Sequence, residues 1–448
     1  MGRGSKRSLP SNILVIIAAL CILAKIISNQ SIFLVLFIIV CCFGVYKEKA
    51  EGKIVFLLFF TSWMYVLKIN VDSFSLFHVV QFFYMLSCVH SMLKAKSQIS
   101  LKVIFGFTLF VLYIVMNSVF NPNIYLMTVV GFLLNFLTIA LAITSLKKNI
   151  PYERYVLYYT SGLFCSGLVA LLGNWVPQVE KYIQNMGEKY TLYENSYLYT
   201  RFSGLDLDPN YFSLQILVAI SLLLVVSSYK KHHLKESVHM VGLTLMGLHT
   251  LSKMFLLILV FIVIYTCAVY IRGRFIRTVK YIFLIIAVPI SLMPLGLLDF
   301  ISVTVSRFSG NGNAAVSLTT GRASLWLAYI EEIIANTRVF LIGNGIGSGF
   351  LNGHAAHNMY LSYWYFTGLI GIILFLVFVN FSYNQIKRTS EGYIQRTKSG
   401  INKLPLVVVL AANFSLDSIV MDFFPLLLFL SLLSVNYMYE YEGEVEST

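Results

Sequence analysis

The chain has 448 residues, of which 58% are hydrophobic and only 12% charged, with a mean hydropathy of +0.78. A soluble domain carries about 25% charged residues, so a water-solvated fold is excluded, and 35 Phe with 28 Tyr exclude disorder. The net charge of +13 comes from 33 Lys/Arg against 20 Asp/Glu, and in a lipid-solvated chain such an excess reports topology, with no need for nucleic acid as a partner.

A membrane-spanning helix needs about 20 mostly apolar residues. Such runs lie near 13–28, 31–46, 53–69, 74–93, 101–119, 124–146, 155–173, 209–228, 237–251, 254–271, 280–298, 359–381, 404–420 and 423–438. They predict an all-α polytopic membrane protein with 12–14 transmembrane helices in a single membrane domain over 1–448. The range reflects 13–28 with 31–46, which also reads as a tight hairpin, and the marginal run 237–251. Alternate connections are basic: Lys47, Lys49 and Lys53; Lys94, Lys96 and Lys102; Lys147, Lys148 and Arg154; Lys230, Lys231 and Lys235; Arg272 to Lys280; and Lys387 to Lys403. The intervening short connections at 70–73 and 121–123 carry no Lys or Arg. Basic connections stay in the cytoplasm, so the expected register puts both termini inside. No small-x-small cleavage pattern follows the first run, which argues against a removed leader. All six cysteines fall within predicted spans at spacings that fit no metal site, and read as packing residues.

Two segments on the other side, about 174–208 and 299–358, are too long to be simple connectors, and long loops in compact proteins are usually functional. The first ends in Arg201-Phe202-Ser203-Gly204-Leu205-Asp206-Leu207-Asp208-Pro209-Asn210. Asp208 before Pro209 is the pattern of a helix N-cap, and capping is preferred to metal binding by Asp206 and Asp208. Arg201 suits bidentate phosphate recognition or a lipid-headgroup anchor. Lys253, at the junction of two spans, either snorkels to headgroups or points into a cavity open to that side. His249, beside it, reads as a hydrogen-bonded packing residue.

In the second segment Gly321-Arg322 opens a stretch in which Trp326, Ile330, Ile333 and Ile334 recur at helical spacing, as in an interfacial amphipathic helix. Gly343, Gly345, Gly347 and Gly349 follow, a run that fits a flexible loop or an anion cradle of backbone N–H groups. His354 and His357 are three apart, but no third ligand lies nearby, which places zinc below acid–base work. His357 stands at the mouth of the 359–381 run, as a general base or a polar helix start. No metal and no cofactor are expected.

Three elements, in order, resemble the bacterial O-antigen polymerase and O-antigen ligase superfamily of membrane glycosyltransferases. They are Arg201-Phe-Ser-Gly204 leading to Asp208-Pro209-Asn210, Gly321-Arg322 with Trp326 and Gly343-Asn-Gly345-Ile-Gly347, and His357-Asn358-Met359-Tyr360-Leu361 before Gly368-Leu-Ile-Gly371. The resemblance covers roughly 201–381. Where that superfamily usually carries Ser-Arg this chain has Ser252-Lys253, which keeps the charge and loses the bidentate fork. The resemblance implies a metal-independent, GT-C-like membrane enzyme in the bacterial plasma (inner) membrane, with its active site on the two long outer loops. It implies a polyprenyl-diphosphate-linked glycan donor and a glycan acceptor, with a chain-length regulator and a flippase as partners. His357 is then the base, Arg322 and Arg201 the leaving-group cations, and Lys253, Asn358, Gly343, Gly345 and Tyr360 substrate-binding residues. Polymerisation of repeat units is the preferred reading; ligation to a lipid or protein acceptor, and flipping or export, stay open.

Overall fold

The structure, a computed structural model, describes residues 9–49, 51–68, 75–95, 100–119, 121, 124–146, 150–186, 191–194, 197–229, 234–270, 322–390 and 400–437. Its helices are α1 (Leu9–Ser28), α2 (Ile32–Lys47), α3 (Ile54–Phe60), α4 (Leu76–Ala95), α5 (Leu101–Val119), α6 (Leu126–Thr144), α7 (Tyr152–Leu172), α8 (Pro177–Met186), α9 (Pro209–Tyr229), α10 (Leu234–His249), α11 (Lys253–Tyr270), α12 (Arg322–Ala335), α13 (Thr337–Leu341), α14 (Met359–Ser390), α15 (Leu404–Ala412) and α16 (Phe424–Asn436). One short antiparallel hairpin interrupts the expected all-α pattern: β1 (Thr191–Glu194) pairs with β2 (Tyr197–Thr200), Thr191 opposite Thr200. Tyrosine and leucine stand next to each other on both sides of Asn195-Ser196, with Thr191 and Thr200 at the outer ends, a composition that suits paired strands.

Among the described residues seven helices are long and apolar enough to cross a membrane, and five shorter apolar helices accompany them. The protein is therefore a multi-pass membrane protein. Ile13, Ile16, Leu20 and Ile27 on α1, and Phe105, Leu112 and Met116 on α5, are exposed in stripes that suit lipid. By contrast α9 is buried from Phe212 to Ser228, and α16 almost throughout. A helix apolar all round belongs in the middle of a bundle. Here α9 packs against α7, α10, α11, α15 and α16 and forms the centre.

Lipid tails are as apolar as leucine, so the bundle is held by close packing and polar contacts rather than by a hydrophobic gain between helices. A Cβ at Gly162 of α7 would lie 1.9 Å from the Phe59 carbonyl oxygen of α3, so only glycine allows that approach. The Trp63 indole then donates to the Gly162 carbonyl at 3.0 Å. At one end of the bundle Arg154 donates to Glu48 and Ser11, Tyr229 to Asn402, and Tyr437 to Glu153. These join helix ends flanking the connections that the sequence makes basic. The remaining helix ends gather at the opposite end, where the candidate site lies.

Two expected spans are shorter than their apolar runs. The 53–69 run is helical only to Phe60, followed by a tight turn over Thr61–Trp63. The 404–420 run is helical only to Ala412. Asn413, Ser415, Asp417 and Ser418 follow, side chains that compete with the backbone for hydrogen bonds and favour turns. The 280–298 run lies outside the described residues.

α14 breaks at Gly368, whose φ of +61° is left-handed. The glycine run closes over this break. Asn344 and Gly345 N–H groups donate to the Tyr365 and Phe366 carbonyls at 2.9 and 2.7 Å. Asn117 and Tyr113 of α5 donate to Ile342, Phe366 and Thr367 carbonyls. The carbonyls freed at a mid-membrane break are thereby satisfied, as they must be in lipid. A Cβ at Gly343, which has φ +83°, would meet the Phe366 oxygen at 2.4 Å.

Candidate functional site

The site is built around the segment 413–423 that joins α15 to α16. Asp417, 1% exposed, accepts hydrogen bonds from the His357 N–H at 2.6 Å, the Asn358 N–H at 3.0 Å and the Ser362 hydroxyl. A carboxylate at the first turn of α14 also meets the positive end of the helix dipole. Asn358 caps the same helix, its side-chain oxygen accepting from the Tyr360 and Leu361 N–H groups. His357 itself has φ +50°, left-handed and unfavourable for a residue with a Cβ by about 1 kcal/mol. The bonds to Asp417 hold it there, and the residue is half-buried.

Arg322 begins α12 and donates through Nη1 to the Ser415 carbonyl at 2.7 Å. The same segment therefore anchors both residues. Arg322 feels the charges of Asp208 and Asp417, and His357 feels Arg322, Asp417 and Asp208. Burial, then the Arg322 charge, hold the His357 imidazole below its ordinary value, with Asp417 and Asp208 opposing. The ring is thus neutral near neutrality, with a lone pair free to take a proton. Burial pushes Arg322 down from its usual value against the two carboxylates, but a guanidinium stays charged in proteins. α12 braces the loop before His357: Trp326 donates to the Ala356 carbonyl at 2.9 Å and Tyr329 to that of His354 at 2.8 Å. The expected apolar stripe is split. Ile333 faces inward with Tyr329, whereas Ile330 and Ile334 face outward with Leu327.

The other residues collect on the N-terminus of α9. Asp208 caps it, Oδ1 accepting from the Asn210 N–H at 2.6 Å, as the sequence leads one to expect. Arg201 donates to the Thr250 carbonyl at 3.0 Å and to the Asn210 side chain at 2.9 Å, where the Ser252 hydroxyl also donates. Arg201 thus ties the 201–210 segment to the α10–α11 turn, next to Lys253. The protein itself takes two of its N–H groups, so Arg201 reads as a positioning residue more than an open phosphate clamp.

Three expected binding residues have internal duties. The Gly343 N–H donates to the Arg338 carbonyl and that of Gly345 to Phe366, so neither serves an anion cradle. The Tyr360 hydroxyl donates to the Leu410 carbonyl at 2.8 Å and pins α14 to α15. Among the described residues no group of three His, Cys, Asp or Glu side chains is placed to hold a metal ion. Asp417, Ser415 and Tyr211, by contrast, were not singled out by sequence reasoning. A carboxylate inside an otherwise apolar run is the signal that points to Asp417.

Asp206 is buried, and burial followed by the Asp208 charge pushes its carboxyl up to about 8, against hydrogen bonds from the Asp208 and Leu207 N–H groups and the Gln215 amide. Near pH 7 the folded protein therefore keeps a proton that an unfolded chain, with a carboxyl value of about 4, has released. Between about pH 4 and pH 8 the unfolded state binds fewer protons, so stability falls as pH rises through that window. Asp206→Asn, neutral throughout, is expected to flatten this slope in the Tm of the detergent-purified protein. An unchanged slope refutes the protonated state.

The chain matches no protein-family model and no curated protein.

Proposed function

We propose that the protein is a membrane glycosyltransferase that joins polyprenyl-diphosphate-linked oligosaccharide repeat units into a surface polysaccharide. The observation that carries this reading is one arrangement: a neutral imidazole, His357, held by Asp417 at a helix mouth, within the field of the Arg322 guanidinium. The order of the Arg201, Arg322 and His357 elements along the chain supports it. In the reaction an acceptor hydroxyl oxygen bonds to the anomeric carbon of the donor. The bond from that carbon to the diphosphate oxygen breaks, and its electron pair leaves with the lipid diphosphate. The hydroxyl proton passes to Nε2 or Nδ1 of His357. Arg322 meets the charge that grows on the leaving oxygen, the kind of preorganised electrostatic help that contributes most in a partly dry site. Asn358 and Asp417 keep the base in place, and Arg201 with Asn210 and Ser252 fixes the α9 end of the site.

In this reading the site opens on the outer face of a bacterial plasma membrane, both termini are cytoplasmic, and the bundle is a GT-C-like one of 12–14 spans. Gel analysis of surface glycan after deletion tests it. One repeat unit on the final acceptor, with lipid-linked single repeats persisting inside the envelope, is the expected result. Unattached long polymer on lipid assigns the ligase reaction instead. Loss of all exported glycan assigns a flippase and overturns the glycosyltransferase.

A further inference from the structure

The 413–423 segment carries a second carboxylate. Asp422 turns away from α14 toward α4 and α6. Its Oδ1 accepts from Asn135 Nδ2 of α6 at 2.8 Å and lies 3.5 Å from Nε2 of His78, near the start of α4. Asn135 in turn accepts from Gln81 Nε2 at 2.7 Å. His78 Nδ1 lies 3.2 Å from the Ser75 carbonyl oxygen.

A carbonyl only accepts, so the His78 Nδ1 carries a hydrogen toward Ser75. Nε2 lies 3.5 Å from the Asp422 oxygen that already accepts from Asn135. Burial works against that carboxylate, but His78, Lys68 and Asn135 outweigh it and hold the Asp422 carboxyl below its ordinary value.

His78 and Asn135 both lie at Oδ1. Among the described residues no group donates to Oδ2. His78, Gln81 and Asn135 are buried, whereas the Asp422 side chain keeps 25% of its surface accessible. Asp422 lies in the same 413–423 segment that carries the site already described. Tyr65, whose hydroxyl donates to Met421 Sδ, lies in the field of Asp422 and Asp208. Tyr211, against the Phe423 ring at 6.0 Å, feels Asp417, Asp208 and Arg322. Both tyrosines are only partly buried. Two tyrosines thus pack on the residues either side of Asp422.

The chemistry of the open oxygen selects its ligand. It is an acceptor, so it does not bind an anion. The Lys68 ammonium, 5.0 Å over the Tyr65 ring, puts a positive charge in the field of Asp422, so a free cation is disfavoured. A cation would also require several oxygen ligands. A neutral donor remains, and a hydroxyl on a fixed carboxylate makes a strong, charge-assisted bond.

We propose that Asp422 binds a sugar hydroxyl of the acceptor glycan through Oδ2, with Asn135 holding Oδ1 and His78 beside it. This rests on the glycosyl-transfer reading and adds to it the place of the acceptor, beside Tyr65 and Tyr211.

Asp422→Asn tests it. The variant keeps the shape, and its Oδ1 still accepts from Asn135, but an amide NH2 donor replaces the open acceptor. The probe is the repeat-unit oligosaccharide released by mild acid from lipid-linked intermediates of the same cells. Its Kd is measured on the full chain in phosphatidylethanolamine–phosphatidylglycerol nanodiscs. Wild type is expected to bind it, and Asp422→Asn to bind at least tenfold more weakly. Asp422→Ser serves if the asparagine variant does not accumulate, with the same expectation. Equal affinity in wild type and variant overturns the proposal, as does a wild type that does not bind at millimolar oligosaccharide. Either result leaves the glycosyl-transfer reading to stand or fall on the deletion gel alone.

Discussion

Alanine at His357 or at Arg322 is expected to abolish long-chain surface glycan while the protein still accumulates in the membrane. Lipid-linked single repeat units should persist in both strains. The two residues act on different parts of one step. General base catalysis contributes about 10²–10⁴ in rate, and an aimed cation on developing charge about 10²–10³. At about 1.4 kcal/mol per decade, each change removes roughly 3–5 kcal/mol of barrier lowering. Neither side chain holds much of the fold. Arg322 makes one bond to the Ser415 carbonyl, and the His357 position is anchored by its backbone N–H, which alanine retains. Arg322→Lys keeps charge but loses the fork that meets both Ser415 and an anion, so it should recover little. Normal polymer from either alanine variant, with protein present in the membrane, removes His357 and Arg322 from the chemistry.

Asp417→Asn is the second severe change, and it works through His357. Asp417 accepts from two backbone N–H groups and a hydroxyl. An asparagine has one acceptor oxygen and turns its NH2 toward one of these donors, so at least one bond is lost and two donors face each other. The left-handed His357 then loses the contact that holds it. A polymerisation rate about 10²-fold lower is expected, since a misplaced catalytic group costs that order. A readout separates this positioning role from general damage. The Asp417 charge raises the proton affinity of His357, against burial and Arg322. Its removal lowers that affinity further, so the acid limb of the pH–rate profile should move to lower pH. Loss of rate with an unmoved acid limb makes Asp417 merely structural.

Much of this architecture is legible without coordinates. The apolar runs give the helices, because a segment that must satisfy its backbone in lipid has little choice but to be helical. The Asp208-Pro209 cap is local and is found where the pattern puts it. Arg322 and His357 stand out as polar residues beside a span and do share one field. What the sequence leaves open is equally specific. Gly343 and Gly345 read as a flexible loop or an anion cradle, and the structure has their N–H groups on the Arg338 and Phe366 carbonyls of their own protein. Tyr360 reads as a substrate contact, yet it joins two helices. Arg201 reads as a free cation, yet it stitches two connections together.

By itself, then, the sequence determines that the chain lives in lipid, which stretches are helical and which polar residues lie at helix mouths, since each follows from the local cost of burying polar groups. Only the tertiary structure decides what those residues face. Asp417 and Asp422 lie in one apolar-looking stretch, five residues apart, but one holds His357 just before α14 and the other faces His78 of α4. Their partners are roughly 60 and 340 positions distant along the chain. A hydrogen bond depends on distance and direction in space, and no local pattern encodes which helix mouths the bundle brings together.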